Sequence, residues 1–329
     1  MLPNKRKRVG KGIVWLAAII SIALLFTACG KSNQVVATYK GGQVTQTDFD
    51  KFIAVNSFFE PIIGAMAHDP TIQNYLLEQL VANRTLASQA DTNVKSEADQ
   101  KLQQQWDEML RITAEQGGKE QMDQELKQLK ITENDLKEFM RESYYAIGSM
   151  EAKVDDQQTK AAYDEQLQED PNAFQVATVR HILVGITDPM TGQEIRSKED
   201  ALKRAQEVKG KLESAEDWNT LAKDYSDDPG SKEKGGMYAD EYVSIWTPAF
   251  KQAVLELPLN QISDPVETDF GYHVIKVENR YAKSYDELKE SLRRQVAQEM
   301  VYEYTSKEVP PLIEKNNLPK PQEAPPATQ

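Results

Sequence analysis

From residue 35 the chain alternates apolar and polar positions. Val35, Ala37 and Tyr39 share one side and Gly41-Gly42 follows, which predicts a short hairpin. Thr45 or Thr47 is placed to cap a helix that starts near Asp48. The spacing then changes to that of helices. Leu76, Leu77, Leu80 and Val81 mark one apolar face. Leu136, Phe139, Met140, Tyr144 and Ile147 mark another, opened by a capping box from Thr132 to Asp135. Between them, residues 100–128 are rich in Gln, Glu and Lys. Only Leu102, Trp106, Met109, Leu110 and Ile112 offer apolar contacts there, so a partly exposed helix is expected.

The texture changes at Asp170-Pro171, where strand-like runs begin to alternate with short capped helices. Residues 179–184 read as a central strand. A helix over 197–212 carries a box from Ser197 to Asp200 and a stripe of Ala201, Ala205, Val208 and Leu212. A second carries Trp218, Leu221, Ala222 and Tyr225, with Ser214 and Asp217 as its box. Thr247-Pro248 opens a third, since proline is tolerated at the first helical position. That order predicts an antiparallel sheet with helices around it. After Ser284, boxed to Glu287, the helical period returns with Tyr285, Leu288, Leu292, Val296, Met300 and Tyr304. A stripe so broad needs a covering partner, and the face of Leu136 to Ile147 is the expected one. The fold class is therefore α+β: a mainly helical domain split in sequence, with a sheet-containing domain inserted into it. From residue 318 the Pro-rich tail is expected to be disordered. No internal repeat is present.

The N-terminus changes the picture of where this chain works. Lys5, Arg6, Lys7, Arg8 and Lys11 precede an uncharged apolar run over residues 13–26. That run is too short to cross ~30 Å of hydrocarbon comfortably and reads as a secretory signal. It ends Leu25-Phe26-Thr27-Ala28-Cys29-Gly30, which resembles the lipobox of bacterial lipoproteins, with Phe26 where leucine is usual. The resemblance implies loss of residues 1–28 and acylation of Cys29; a cysteine simply discarded with the signal is the plainer alternative. Cys29 is the only cysteine, so an exported form has no disulfide framework. Losing the five basic residues of the signal takes the net charge from −13 to −18. So acidic a chain excludes nucleic acid as a partner, because such binding rests on clustered Lys and Arg. Its 329 residues allow two domains.

Two of the three histidines lie in apolar strand-like runs, His181 in VRHILV and His273 in FGYHVIKV. Buried neutral imidazoles need partners at both nitrogens. Two on adjacent strands can satisfy each other, with hydroxyls completing the chain. Each taken alone also suits a structural core histidine. Two histidines and no usable thiol leave a metal site short of ligands, and no cofactor is expected.

VRHILV, LAKDYSDDPGSKEKGG, TPAF and ISDPVETDFGYHVIKV, in this order and spacing, resemble the parvulin domain over roughly residues 174–282. The wider plan resembles the PrsA foldase lipoproteins. This implies residues 1–28 as signal, 29–34 as lipidated cysteine and tether, and 35–172 as the first part of a helical chaperone-like domain. A parvulin-type domain over 173–282, a completing helix over 283–317 and a tail over 318–329 would follow. The implied activity is cis/trans isomerisation of X-Pro bonds in exported clients, on the outer face of the cytoplasmic membrane. The implied polar wall is His181, Asp228, Thr268 and His273, and the implied proline pocket is Tyr238, Trp246 and Phe250. Asp228 also suits a plain turn former before Pro229, and Phe250 plain core packing.

Rotation about such a bond faces ~18–20 kcal/mol because twisting removes amide resonance. No bond is made or broken, so the site need only favour the twisted amide. The chain departs from the family in places. Gly235-Gly236 is followed by Met237-Tyr238-Ala239 instead of Asp-Leu-Gly, and Trp246 stands where methionine is usual. The loop after the first strand has Arg196 against Asp188 and Glu194, not the basic cluster of phospho-directed parvulins. Larger aromatics favour a rival reading, a holdase with little turnover. Whether a second copy pairs with the helical domain stays open.

Overall fold

The computed structural model describes residues 34–115, 117–188 and 191–321. The signal, Cys29 and the tail beyond residue 321 lie outside them. The described residues form two compact units, one of residues 34–155 with 293–321 and the other of residues 156–292.

The first unit opens with the hairpin β1 (Val35–Tyr39) and β2 (Gly42–Thr45). Thr45, not Thr47, caps α1 (Gln46–Phe59), in a box with Asp48. The helices α2 (Pro61–Met66), α3 (Pro70–Gln89), α4 (Thr92–Glu115), α5 (Lys119–Leu129) and α6 (Glu133–Glu151) follow. The Thr132–Asp135 box opens α6 as the sequence pattern predicts. The Gln-rich stretch is two helices, and its partial exposure holds only for their outer faces. Trp106 is 1% exposed and packs with Val55, Met122, Leu126, Ile131 and Leu136. One indole fills the space that several smaller side chains would otherwise need.

The second unit starts at α7 (Asp156–Glu169), earlier than the expected boundary at 173. Its Ala162, Tyr163 and Leu167 pack on Phe174, Leu288 and Leu292, and the Tyr163 and Phe174 rings stack at 4.7 Å. The sheet runs β4-β3-β6-β5, all antiparallel. Its strands are β3 (Gln175–Gly185), β4 (Met237–Tyr242), β5 (Val266–Thr268) and β6 (Gly271–Ala282). One face, with Ile182, Val184, Tyr272 and Val274, is covered by α8 (Lys198–Glu213) and α9 (Trp218–Tyr225). The opposite face, with Val179, Ile275 and Val277, packs against α10 (Pro248–Glu256) through Phe250 and Val254. Asp217 alone caps α9; Ser214 ends α8 instead of joining a box.

The returning segment departs most from expectation. The helix α11 (Tyr285–Glu303) begins with the Ser284–Glu287 box. Its first turns serve the second unit, since Leu288 and Leu292 cover α7 and Phe174 rather than the Leu136–Ile147 face. A π turn over Tyr304–Glu308 and a 3-10 turn over Pro310–Leu312 end the helical path. The strand β7 (Ile313–Asn316) then pairs antiparallel with β1, giving the first unit a sheet of order β2-β1-β7. Leu318, expected to start the tail, packs with Ile63 and Ile72 on the Phe49–Leu76 core. Its neighbour Pro319 accepts a hydrogen bond from Asn74 at 2.9 Å. Apolar burial, not composition, decides that end. The whole is α+β, with small antiparallel sheets and many helices.

Candidate functional site

The register of the second sheet builds a polar line across three strands. His181 on β3 lies opposite Ile275, and His273 on β6 lies opposite Val266. Strand residues two apart share a face, so Thr268, His273 and His181 all face α10 as diagonal neighbours. Thr268 Oγ1 is 2.8 Å from His273 Nε2, and His273 Nδ1 is 3.1 Å from His181 Nδ1. His181 Nε2 is 2.9 Å from Asp228 Oδ2. Both rings are buried.

Asp228 reaches the line from the loop after α9. Ser226 holds that loop to β3, its Oγ accepting from Leu183 N and from Asp228 N, both at 3.3 Å. Asp227 N donates to Leu183 O at 2.8 Å. The chain then turns through Gly236, whose φ of +72° suits glycine. A Cβ there would lie 2.1 Å from His181 O. That close approach lets Gly236 O accept from His181 N at 2.8 Å and brings Tyr238 beside the line.

The proton pattern follows from donor counting. The Asp228 carboxylate accepts from Tyr238 Oη at 3.0 Å, from Gly230 N at 3.1 Å and from Ser231 Oγ. Burial opposes its charge, yet the hydrogen bonds from His181 and Ser231 outweigh it and hold the carboxyl well below the usual carboxylate range. With Asp228 ionised and each ring neutral, one polarity satisfies every atom. Phe270 N donates to Thr268 Oγ1 at 3.2 Å, and Thr268 donates to His273 Nε2. His273 Nδ1–H then donates to His181 Nδ1, and His181 Nε2–H to Asp228. Burial, then the neighbouring His181, pushes His273 down to about 3, so it stays neutral. Burial and the Asp228 charge push Tyr238 up to about 12, so it remains a donor.

An aromatic wall stands over this line. The Phe250 ring meets His181 edge-on at 5.4 Å and His273 at 5.1 Å. Trp246 lies 5.3 Å from Phe250, and Tyr238 lies 5.5 Å from His181. Phe250 is buried, while Tyr238 and Trp246 are half-buried. The structure thus brings together His181, Asp228, Thr268, His273, Tyr238, Trp246 and Phe250. Cys29 lies outside the described residues.

One group, Ser231, was missed from the sequence. Ser231 is fully buried and bonds both Asp228 and His181 Nε2, the latter at 3.1 Å. Its position three residues after Asp228, past a Pro-Gly turn, was the available signal. Arg196 donates to Asp227 and to Gly185 O, so its charge is already paired beside the site.

An aromatic slot over a buried His–His–Asp line, with its serine fully buried and hydrogen-bonded away from the slot's surface, suits rotation rather than bond cleavage. Residues 165–281 match the family model of the PPIC-type PPIASE domain, the parvulin class of peptidyl-prolyl cis-trans isomerases. The match beyond that domain is broader. The chain is 29% identical to Foldase protein PrsA 4 of Bacillus cereus over 302 residues, 90% of this chain and 87% of that one. It is 28% identical to Foldase protein PrsA of Clostridium botulinum over 326 residues, 86% of this chain and 90% of that one. The crystal structure of foldase protein PrsA from Streptococcus pneumoniae aligns with 84% of this chain and 93% of its own at 20% identity, with a TM-score of 0.44. The chain therefore carries a PPIC-type, parvulin-class isomerase domain and is similar to the PrsA foldases along most of its length.

Proposed function

We propose that this foldase isomerises X-Pro bonds of exported proteins at the His181–Asp228 site, outside the cytoplasmic membrane, tethered through lipid on Cys29. Trp246, Phe250 and Tyr238 would seat the proline ring. His181, Asp228, Thr268 and His273 would form the polar wall beside the rotating amide. The planar amide is more dipolar than the twisted one, so an aromatic wall disfavours the planar form. Each ~1.4 kcal/mol of that preference gives tenfold in rate. The observation that carries this reading is Phe250, whose edge meets both histidines at 5.4 and 5.1 Å. That contact joins the apolar pocket to the polar line.

The boundary proposals follow the packing: an isomerase unit over 156–292 and a client-binding unit from the remainder. The tether rests on the N-terminal sequence alone. Among the described residues no helix is long and apolar enough to cross a membrane. The second reading, a holdase with weak turnover, is favoured by the Tyr238 phenol and Trp246 indole that stand where smaller side chains are usual.

Exchange NMR on Ala-Pro peptides tests the isomerase reading. Turnover that falls at least about tenfold in Phe250→Ala, the loss of ~1.4 kcal/mol of preference, is the expected result. No turnover in the wild type, with aggregation still suppressed, would select the holdase. For the tether, Cys29→Ala should leave the chain unprocessed and without lipid label.

A further inference from the structure

The short helix α2 breaks the usual rule for surface helices. Residues 61–67 read Pro-Ile-Ile-Gly-Ala-Met-Ala, seven residues without a polar side chain, and none of α2 is buried. Ile62 is 65% exposed and Met66 43%, and Phe59 at the end of α1 is 38% exposed. Ile62 and Met66 are four apart on one helix, so they share a face. Exposed runs of three or more apolar residues are errors unless they are used, and contiguous apolar surface of this kind marks interaction sites.

The placement of α2 is specific. A Cβ on Gly64 would come 3.0 Å from Ser57 Oγ, so α2 lies close against α1 through its glycine and turns its larger side chains outward. Ile63 alone reaches the core. Glu60 N is bonded to Asn56 O at 2.8 Å, and Gln73 Nε2 to Ala67 O at 2.8 Å, so both ends are held. Phe59 stacks on Phe139 at 5.9 Å, which keeps its ring in place beside the run.

The charges around this surface select its occupant. Between Lys51 and Arg84 the only formally charged residues are Glu60, Asp69 and Glu78. Glu60 at the start of α2 and Asp69 just past its end are both exposed, so the apolar run has a carboxylate at each end, on a chain of net charge −13. We infer that the Phe59–Ile62–Met66 surface binds an unfolded apolar segment of a client protein that carries Lys or Arg at its ends. Methionine and isoleucine on a short helix can adapt to varied side chains, and the carboxylates at its ends add attraction that salt would screen. This inference rests on reading the helical unit as client-binding.

The test uses the mature chain and two fluorescein-labelled peptides. Both have the same Leu/Phe centre; one has Lys-Arg ends and the other Glu ends. Anisotropy should show tighter binding of the Lys-Arg peptide, with the gap closing as salt rises. The double variant Ile62→Ser/Met66→Ser should weaken that peptide by about tenfold or more, equivalent to ~1.4 kcal/mol. Tyr302→Ser, an exposed position on α11, should bind as wild type. Both changed residues are exposed, so a melt unchanged in the double variant is expected. Wild-type affinity in the double variant overturns the inference and leaves client binding elsewhere. Failure of the wild type to bind either peptide overturns the client-binding reading itself. A halved sedimentation mass in the double variant, with peptide binding intact, would give the surface to a second copy instead and also overturn the inference.

Discussion

Tyr238 Oη donates to Asp228 Oδ2 at 3.0 Å, the same oxygen that meets His181 Nε2 at 2.9 Å. One phenol thus lines the aromatic slot and holds the polar line. A leucine, usual at this place in parvulins, has no donor to offer. Tyr238→Phe keeps the ring and removes the bond. The loss of one hydrogen bond to a charged group, ~1.5 kcal/mol, should lower turnover about tenfold with little change in melting. Exchange NMR and a thermal melt on the same sample check it; unchanged turnover would make the phenol mere packing.

His273 sets a pH dependence of stability. In the native state it titrates at about 3, against an ordinary 6.5. Below about pH 6.5 the unfolded chain takes up a proton that the native one refuses, so stability falls as pH falls towards 3. The slope from this group is ~1.4 kcal/mol per pH unit. Asp228, held low by His181 and Ser231, adds loss in the same direction only below the usual carboxylate range. Urea midpoints at pH 7.5, 5.5 and 4.5 should fall steadily, and His273→Gln should flatten the trend between pH 6.5 and 4.5.

His273→Ala should cost more stability than Asp228→Ala. The first change takes one of two partners from Thr268 Oγ1 and leaves the Nδ1 of the buried His181 unpaired, at ~1–3 kcal/mol for a stranded buried group. Asp228→Ala also frees donors on the buried His181 and Ser231, but the Asp228 side chain is itself the more exposed, 14% against 5% for His181, so its removal opens a path for water to reach them. Asp228→Ala should instead act mainly on turnover. Melting curves beside exchange rates separate the two effects.

Peptides with phosphoserine before proline should turn over no faster than those with Ala or Glu. Arg196 is the cation nearest to hand in the loop after β3, and Asp227 and Gly185 O already occupy it. A dianion would meet the Asp228 carboxylate with no free guanidinium to offset it. Protease-coupled rates on the three peptides decide the matter, and a marked advantage for phosphoserine would refute the prediction.

How much of this was legible depended on whether the signal was local. The histidine pair could be read because a polar ring in a long apolar strand demands partners, and Thr132–Asp135 because a capping box is four residues long. The partner of an apolar stripe is not local. Leu288 and Leu292 announce burial but not against which surface, and it is α7 with Phe174 that covers them. The strand β7 has one apolar residue among Ile-Glu-Lys-Asn, too little to show a period, and its antiparallel pairing with β1 is not written in its side chains. Ser231 escaped because a serine in a turn is ordinary until the fold buries it.

The pairing of β1 with β7 imposes an order on the chain's maturation. Ala37 lies opposite Asn316, and Val309, between α11 and β7, is fully buried in the core that Val36 and Phe49 share. A polypeptide emerges N-end first, from the ribosome or from a pore. Its hairpin and first helices must therefore wait, with β1 lacking one neighbour, until nearly the whole chain is out. The sheet over residues 175–282 has all its strands by then and can close early. The isomerase is thus the first part of the molecule able to work, and the unit encoded first is the last to be finished.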